Sequence, residues 1–591
     1  MSNLEKHGQW LPHHPDKASL VRSEEAWCYI CAAVREKLQR VQGSSDQYNR
    51  WMTIYRPYRY LKQEDVEEGA QHEGLLPRMA MSIAFDIADA KKDVRLNRTL
   101  ADYPPIRNRN TGTEATLSLC RRWIKDCDRT HELCKFNRQG RKFPQRILEI
   151  NHFDDSWCLR LPAAGTVDLQ SNYMTVSHCW GKITPLKLVE HLFSELQQWQ
   201  PFSRLPKSFQ DAVLVTKFLG IKYLWIDALC IIQDSEEDWA NQSARMSGVY
   251  TGSFCNISIA GASDSDGGCF NDRSISALRF PRVHLQGSEQ EMPDVLIFNE
   301  DKMIAGVEDQ PVNKRAWVVQ ERLLAPRKIH FGSSEVFWEC QELMASESFP
   351  KEVPRDLYRQ SNFNTTPNNM EDNRITDDTF ELWMRIRAQY SSCNLTFAKD
   401  KLVAISGVID LLQQLTGHSF IAGLWSSIIP YQLCWTASGV NRSPYDSYIA
   451  PSWSWASISG KIAWQEASIL DYHTLIEVVE IQVEPAISTK PNGVLKGGFL
   501  TLEGGLLPIS GLDDSGKPCV HMFDQPLSEF EIIWDDAEPQ SYDEGSLYLL
   551  PITVSSNMSG FEGLLIRHIK GNRNSRNVFI RIGTFNNISV E

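Results

Sequence analysis

Leu205–Asp234 reads LPKSFQDAVLVTKFLGIKYLWIDALCIIQD, and the fold follows from it. Phe209, Ala212, Val213 and Leu219 recur at helical spacing. Ser208 stands where a cap would stand, and Gly220 where a helix would stop. Tyr223–Ile226 is then an apolar run of strand length with Asp227 at its carboxyl end. Upstream, Tyr173–Ser177 is a second short strand, ended by Trp180-Gly181. Downstream, Asp234 or Ser235 caps a helix whose first turn holds Glu236, Glu237 and Asp238, where the helix dipole favours negative charge. Trp239, Met246, Val249 and Tyr250 form an inner helical face, and Cys255–Ala260 is a third strand. Strands alternating with helices of this length predict an α/β unit around a mainly parallel sheet.

Working outward, Pro185 fits the first turn of a helix running to about Trp199. Glu24–Gln42 and Thr111–Phe136 also read as helices, so residues 1–150 form a helical N-terminal region. Phe143–Asp168 reads as an extended linker. Beyond the α/β unit (residues 170–345), Ala316–Leu324 is a short helix, and Lys328–Phe331 and Val336–Glu339 are strands. Glu347–Asp377 is polar and proline-bearing, which predicts a partly mobile insertion. Phe380–Tyr390 and Lys399–Leu415 are helices of a connector that spans residues 346–450. From residue 451, and most plainly after Thr474, short alternating runs separated by turn residues predict a β-rich C-terminal domain, an antiparallel sheet or barrel.

The 591 residues exceed what one core usually holds. Hydrophobic content of 42% and charge of 23% are ordinary for a globular chain. A net charge of -13 argues against a nucleic-acid partner, since phosphate contacts need Lys and Arg. The N-terminus has no apolar leader, and no run reaches the roughly 18 apolar residues of a membrane span. The expectation is a cytoplasmic protein whose 14 scattered cysteines are reduced thiols.

Common chemical signatures fail. Neither a G-x-G-x-x-G nor a G-x4-G-K-[ST] phosphate cradle occurs, and G-x-S-x-G and H-E-x-x-H are missing as well. Cys28-x2-Cys31 sits mid-helix without an adjacent strand and carries no redox reading. Cys127, His131 and Cys134 share one helical face with Cys120. On one unbroken helix Cys127 and Cys134 would lie about 10 Å apart along the axis, too far for one tetrahedral ion. The stripe therefore reads as packing, with no metal assigned; a helix ending near Thr130 would soften that objection.

What remains is polar residues just past strand ends, where open α/β sheets bind ligands. Ser177 and His178 end one strand and Asp227 another. Gln233 and Asp234 open a helix, and Trp180 and Trp225 lie close by. Trp317 and Glu321 are one helical turn apart, flanked by Arg315, Gln320 and Arg322. The ordinary alternative for Glu321 is a solvated helix glutamate paired with Arg322 or Arg327.

These runs resemble the HET domain, the heterokaryon-incompatibility domain of filamentous fungi. The resemblance rests on VSHCWG (Val176–Gly181), LGIKYLWIDALCIIQD (Leu219–Asp234), Asp238-Trp239 with Met246 and Tyr250, and RAWVVQE (Arg315–Glu321). CDRTHELC (Cys127–Cys134), DKLVAISG (Asp400–Gly407) and PSWSWAS (Pro451–Ser457) are similar to flanking stretches of such proteins. The family implies a role in allorecognition, with cell death after fusion of unlike cells.

The HET domain is also similar to TIR domains, which have a flavodoxin-like fold and some of which cleave NAD with a Glu in a W-x3-E setting. That second resemblance implies Glu321 as catalytic residue. Joined with the strand-end and helix-flank residues above, it makes Ser177, His178, Trp180, Asp227, Gln233, Asp234, Arg315, Trp317 and Gln320 the expected nucleotide-binding set. Trp180 and Trp317 would stack on a ring, Arg315 would meet phosphate, and Asp227 or Asp234 would hold hydroxyls. NAD would be a substrate, and no cofactor or metal is required. His178 departs from the aromatic residue of the TIR pattern. Two other readings stand beside this one: a non-catalytic module that self-associates or binds an incompatibility partner protein, and a biosynthetic enzyme acting on a small metabolite.

Overall fold

The computed structural model describes most of residues 108–353 and 377–586, together with a few short pieces outside them. The Glu24–Gln42 helix, Cys28 and Cys31, Pro185, and residues 354–376 of the polar insertion lie outside the described residues.

Among the described residues, nine strands form the central sheet. They are β1 (Leu148–Phe153), β2 (Ser156–Arg160), β3 (Tyr173–Ser177), β4 (Gln200–Pro201) and β5 (Tyr223–Trp225), followed by β6 (Cys255–Ser258), β7 (Arg327–Phe331), β8 (Val336–Cys340) and β9 (Met344–Ser346). Their spatial order is β9-β8-β7-β6-β3-β5-β1-β2-β4. The middle is parallel: β3 pairs with β5 on one side and β6 on the other, and β6 pairs with β7. Both flanks are antiparallel. The middle strands β3, β5, β6 and β7 are buried along their whole length, as covered parallel strands must be.

Two expectations need correction here. Phe143–Asp168 is not a linker: it supplies β1 and β2. Glu149 in β1 pairs with Arg160 at 2.8 Å and Lys222 at 2.7 Å. The long helix expected up to Trp199 is only a 3-10 turn (Glu190–Leu192) and one α-turn (Phe193–Leu196). Leu196 of that stretch is buried. Leu188 is buried as well, but its backbone N–H and carbonyl pair with Ala228 and Gln233 at 2.8 Å each, which takes it out of the helix.

The helices follow the apolar periodicity. α1 (Glu114–Thr130) buries Leu117, Cys120, Trp123, Ile124 and Cys127, and α2 (Glu132–Phe136) follows after a break at His131. α3 (Lys207–Phe218) starts one residue before the expected cap. Ser208 instead accepts from the Gly268 N–H at 3.1 Å, tying the helix to the 263–268 loop. α4 (Glu236–Ser243) is capped by Ser235, and α5 (Met246–Thr251) completes that layer. α6 (Ala316–Leu324) matches its expected bounds and leads into β7.

The connector packs on α6. α7 (Asp377–Ser391) and α8 (Ser406–Thr416) frame it, and the Gly407 N–H donates to Gln320 Oε1 at 2.7 Å. A Cβ at Gly407 would lie 2.8 Å from that same oxygen and 2.4 Å from Ser247, so only glycine allows the approach. Tryptophans fill the adjoining core: Trp383 meets Trp425 edge-on at 5.9 Å, and the Trp455 indole donates to the Gly423 carbonyl at 2.6 Å.

The C-terminal residues form an eight-stranded sheet centred on Leu547–Ser555, Phe561–Arg573 and Arg576–Asn586, beside a hairpin of Glu477–Pro485 and Leu495–Glu503. The pairings in both are antiparallel. Arg581 anchors this sheet to the connector. Its buried guanidinium forms a fork with Asp535 at 2.8 and 2.9 Å, donates to the Leu433 and Trp435 carbonyls, and covers the Trp435 ring. Arg581→Met strands a carboxylate and two carbonyls, an expected cost of about 3–5 kcal/mol. A urea midpoint unchanged from wild type would refute that anchoring role.

Candidate functional site

The site grows from β3. Its sequence YMTVS is wholly buried, and strand alternation puts Thr175 and Ser177 on one face. In the neighbouring β6, Asn256 sits in register with Thr175 and Ser258 with Ser177. A directed relay results. Thr175 Oγ1 donates to Asn256 Oδ1 at 3.0 Å, and Asn256 Nδ2 donates to Ser177 Oγ at 3.0 Å. With that lone pair occupied, the Ser177 hydroxyl turns its proton to the Glu321 carboxylate through a short hydrogen bond.

Glu321 reaches this point because Arg315, in extended conformation, caps α6 and aims it across the sheet. The glutamate is 2% exposed, which rules out the solvated reading. Its hydrogen-bond partner is Ser177, with Tyr250 close by, rather than Arg322 or Arg327. Burial pushes its carboxyl up to about 7; Arg315 opposes the rise, and Asp227 adds to it. The Tyr250 hydroxyl donates to the Val176 carbonyl at 3.2 Å, and its own acidity is suppressed by burial and by Glu321.

His178 follows Ser177 and is 1% exposed. Its ring lies stacked beside Trp180 at 6.0 Å and meets Phe209 edge-on at 4.8 Å. Burial pushes it down to about 4, with Asp227 opposing and Arg315 assisting, so the imidazole is neutral at pH 7. Asp227 Oδ1 stands 3.6 Å from Nδ1, outside hydrogen-bonding range, and neither ring nitrogen has a hydrogen-bond partner among the described residues. Ser258 Oγ is likewise buried and unpartnered. These three atoms belong to residues at the carboxyl ends of β3 and β6, where a polar ligand would satisfy them.

Asp227 joins the cluster through the Trp180 indole, which donates to Oδ2 at 3.2 Å, while Oδ1 takes the Ala228 N–H at 2.7 Å. Arg315 donates to the His178 carbonyl. Gly181 turns the chain away at φ 72, and a Cβ there would meet Asp264 at 2.3 Å, which accounts for the Trp-Gly pair. Six of the ten residues singled out in the sequence thus converge: Ser177, His178, Trp180, Asp227, Arg315 and Glu321.

The other four serve the frame around them. Gln233 donates to the Asp227 and Ile231 carbonyls at 3.1 and 2.9 Å. Asp234 accepts from the Glu190 N–H at 2.9 Å. Gln320 holds Gly407. Trp317 is half-buried and edge-on to Trp239 at 6.3 Å. Asn256 and Tyr250 were not singled out as site residues. Asn256 carried a usable signal: a polar residue inside the short buried run CNIS must find a partner.

Residues 173–321 match the model of the family described as heterokaryon incompatibility protein (HET). No curated protein and no solved structure matches the chain significantly. The matched segment begins at the first residue of β3 and ends on Glu321, so it spans the converging residues from Ser177 to that glutamate. No described helix is long and apolar enough to cross a membrane.

Proposed function

We propose that this chain, a heterokaryon-incompatibility-type protein with its HET domain at residues 173–321, hydrolyses the bond between nicotinamide and ribose in NAD. The supporting observation is the Ser177–Glu321 contact, which joins residues 144 apart at the carboxyl ends of the parallel strands. In this reading the C1′–N1 bond breaks, and its electron pair returns to the nicotinamide ring nitrogen. Water adds its oxygen to C1′ and releases a proton, giving ADP-ribose. The ribose passes through oxocarbenium-like charge, and a carboxylate close to it lowers that barrier.

Glu321 supplies the carboxylate, and Ser177 orients it. With its carboxyl at about 7, the ionised form is reached by modest alkalinity, so turnover rises with pH through that value. Arg315 faces phosphate, Asp227 takes ribose hydroxyls, and the Trp180 ring covers a base. His178 stays neutral and offers one donor and one acceptor. A cytoplasmic setting, self-association and a cell-death outcome fit this reading and belong to it as proposals.

One observation favours a non-catalytic signalling module instead: Glu321 is almost wholly covered and already holds Ser177. The experiment compares purified full chain with Glu321→Ala in NAD, following nicotinamide release at dilute and concentrated protein. Turnover that falls at least ~100-fold in the variant supports the hydrolase. Absence of wild-type turnover at every concentration refutes it. Expression toxicity that survives Glu321→Ala then identifies the signalling module.

A further inference from the structure

We propose that Cys127, His131, Cys134 and Cys340 hold a structural zinc ion that staples the α1–α2 pair to the central sheet. Four ligand atoms, one from each residue, all lie within 4.8 Å of one another. Cys340 Sγ stands 3.3 Å from His131 Nδ1, and Cys134 Sγ stands 3.9 Å from the same nitrogen. Tetrahedral zinc, with bonds of about 2.3 Å to sulfur and about 2.0 Å to nitrogen, requires edges of roughly 3.5–3.8 Å. The observed spacings bracket that range.

The local backbone explains how the stripe becomes a cage. α1 stops at Thr130, and His131 takes extended angles, φ -92 and ψ 112. α2 then starts in a new direction and returns Cys134 toward Cys127. The distance that forbids a shared ion on one straight helix therefore does not exist. The fourth ligand comes from 206 residues after Cys134: Cys340 is the last residue of β8. All three cysteines are fully buried, and His131 is half-buried at the rim.

Supporting contacts surround the four. Arg327 Nε donates to Cys127 Sγ at 3.2 Å, and the same guanidinium reaches Asp128 at 3.2 Å. Charged donors onto a sulfur stabilise thiolate and orient it, as outer contacts of metal sites do. The Leu133 N–H is held by Glu342 at 2.7 Å, which pins α2 to the turn after β8. On binding a divalent cation the three thiols would release their protons, and the ion would offset the charge of the thiolates formed. A complete Cys3His set leaves no open coordination position, so the role is structural. The ion lies on elements outside residues 173–321 and does not depend on the proposed hydrolysis.

The test is metal content of the full chain purified without chelator. The expected value is about one zinc per chain, falling below ~0.2 in Cys127→Ser and Cys340→Ser. Cys158→Ser, in β2 and outside the cluster, keeps the metal. Two measurements on folded protein cover the case in which the serine variants do not accumulate. Cobalt exchanged into wild type should show the visible absorption of a tetrahedral thiolate site. His131→Cys should retain the ion with a spectrum shifted toward four thiolates. Wild-type protein with no zinc after growth in zinc, or cobalt without tetrahedral thiolate bands, overturns the proposal. So does metal retained by both serine variants.

Discussion

Glu321→Gln is expected to make the chain more stable than wild type at alkaline pH while removing NAD turnover. The sign follows from linkage. Burial raises the folded-state carboxyl from 4.5 to about 7, so the folded form holds its proton where the unfolded form has released it. Below 4.5 both forms are protonated and nothing differs. As pH rises toward 7 the wild type loses stability, and above 7 the loss is complete. At about 1.4 kcal/mol for each pH unit, the total is about 3 kcal/mol.

Glutamine has no charge to bury and can still accept the Ser177 hydroxyl. Glu335, also pushed up to about 7 by burial and then by Glu347, titrates in the same window. The informative quantity is therefore the difference between variant and wild type, in which Glu335 cancels. Urea midpoints at about pH 5 and about pH 8 measure it, and most of the divergence should fall between them. Parallel curves for the two proteins would show that Glu321 is not buried as a protonated acid. Arg315 lowers the carboxyl and Asp227 raises it, and burial, the largest cause, sets the direction.

Glu339→Ala is expected to be the most destabilising single change on the sheet, by about 3–5 kcal/mol. Glu339 Oε2 receives Arg322 Nε at 2.8 Å and His330 Nε2 at 3.0 Å, and Oε1 lies 3.6 Å from Lys328 Nζ. Glu308 takes a second Arg322 nitrogen at 2.8 Å. Burial alone would raise the Glu339 carboxyl; Arg322 and then Lys328 override it and hold it well below the usual range. Burial lowers His330 in turn, so two cations face two anions and the imidazole stays neutral.

Removing Glu339 leaves two buried cations facing one carboxylate, that of the more exposed Glu308. Because Arg322 follows Glu321 on α6, the variant should also loosen the candidate site. Nicotinamide release would then fall together with the urea midpoint. A variant as stable as wild type would mean that water already screens this network.

Much of this was legible in the sequence because it is local. Alternation of residue type over five residues, all of them buried in the fold, made Tyr173–Ser177 a strand with its stated ends, and helical spacing before Pro326 bounded Ala316–Leu324. The family resemblance rested on motifs inside residues 173–321, the segment that the family match covers. Six candidate residues met in space because a parallel sheet brings strand carboxyl ends to one edge, and each of those motifs ends a strand or starts a helix.

Pairing across the chain was not legible. β1 and β2 looked like linker, because what orders them is pairing, β1 with β5 and with β2, rather than their own alternation. Gln233, Asp234 and Gln320 looked like ligand groups, yet Gln233 satisfies two nearby carbonyls, and Asp234 and Gln320 each hold a backbone N–H that only the folded chain brings near. The Cys127–Cys134 stripe could be placed on a face, but one break at His131 and one cysteine 206 residues further on turned it into a four-ligand cluster. Sequence by itself determined the α/β unit, its strand ends and the HET signature, since these depend on periodicity and short-range chemistry. Tertiary structure decided that Glu321 is a buried acid bonded to Ser177, since burial, charge and hydrogen-bond partners are properties of neighbours far apart along the chain.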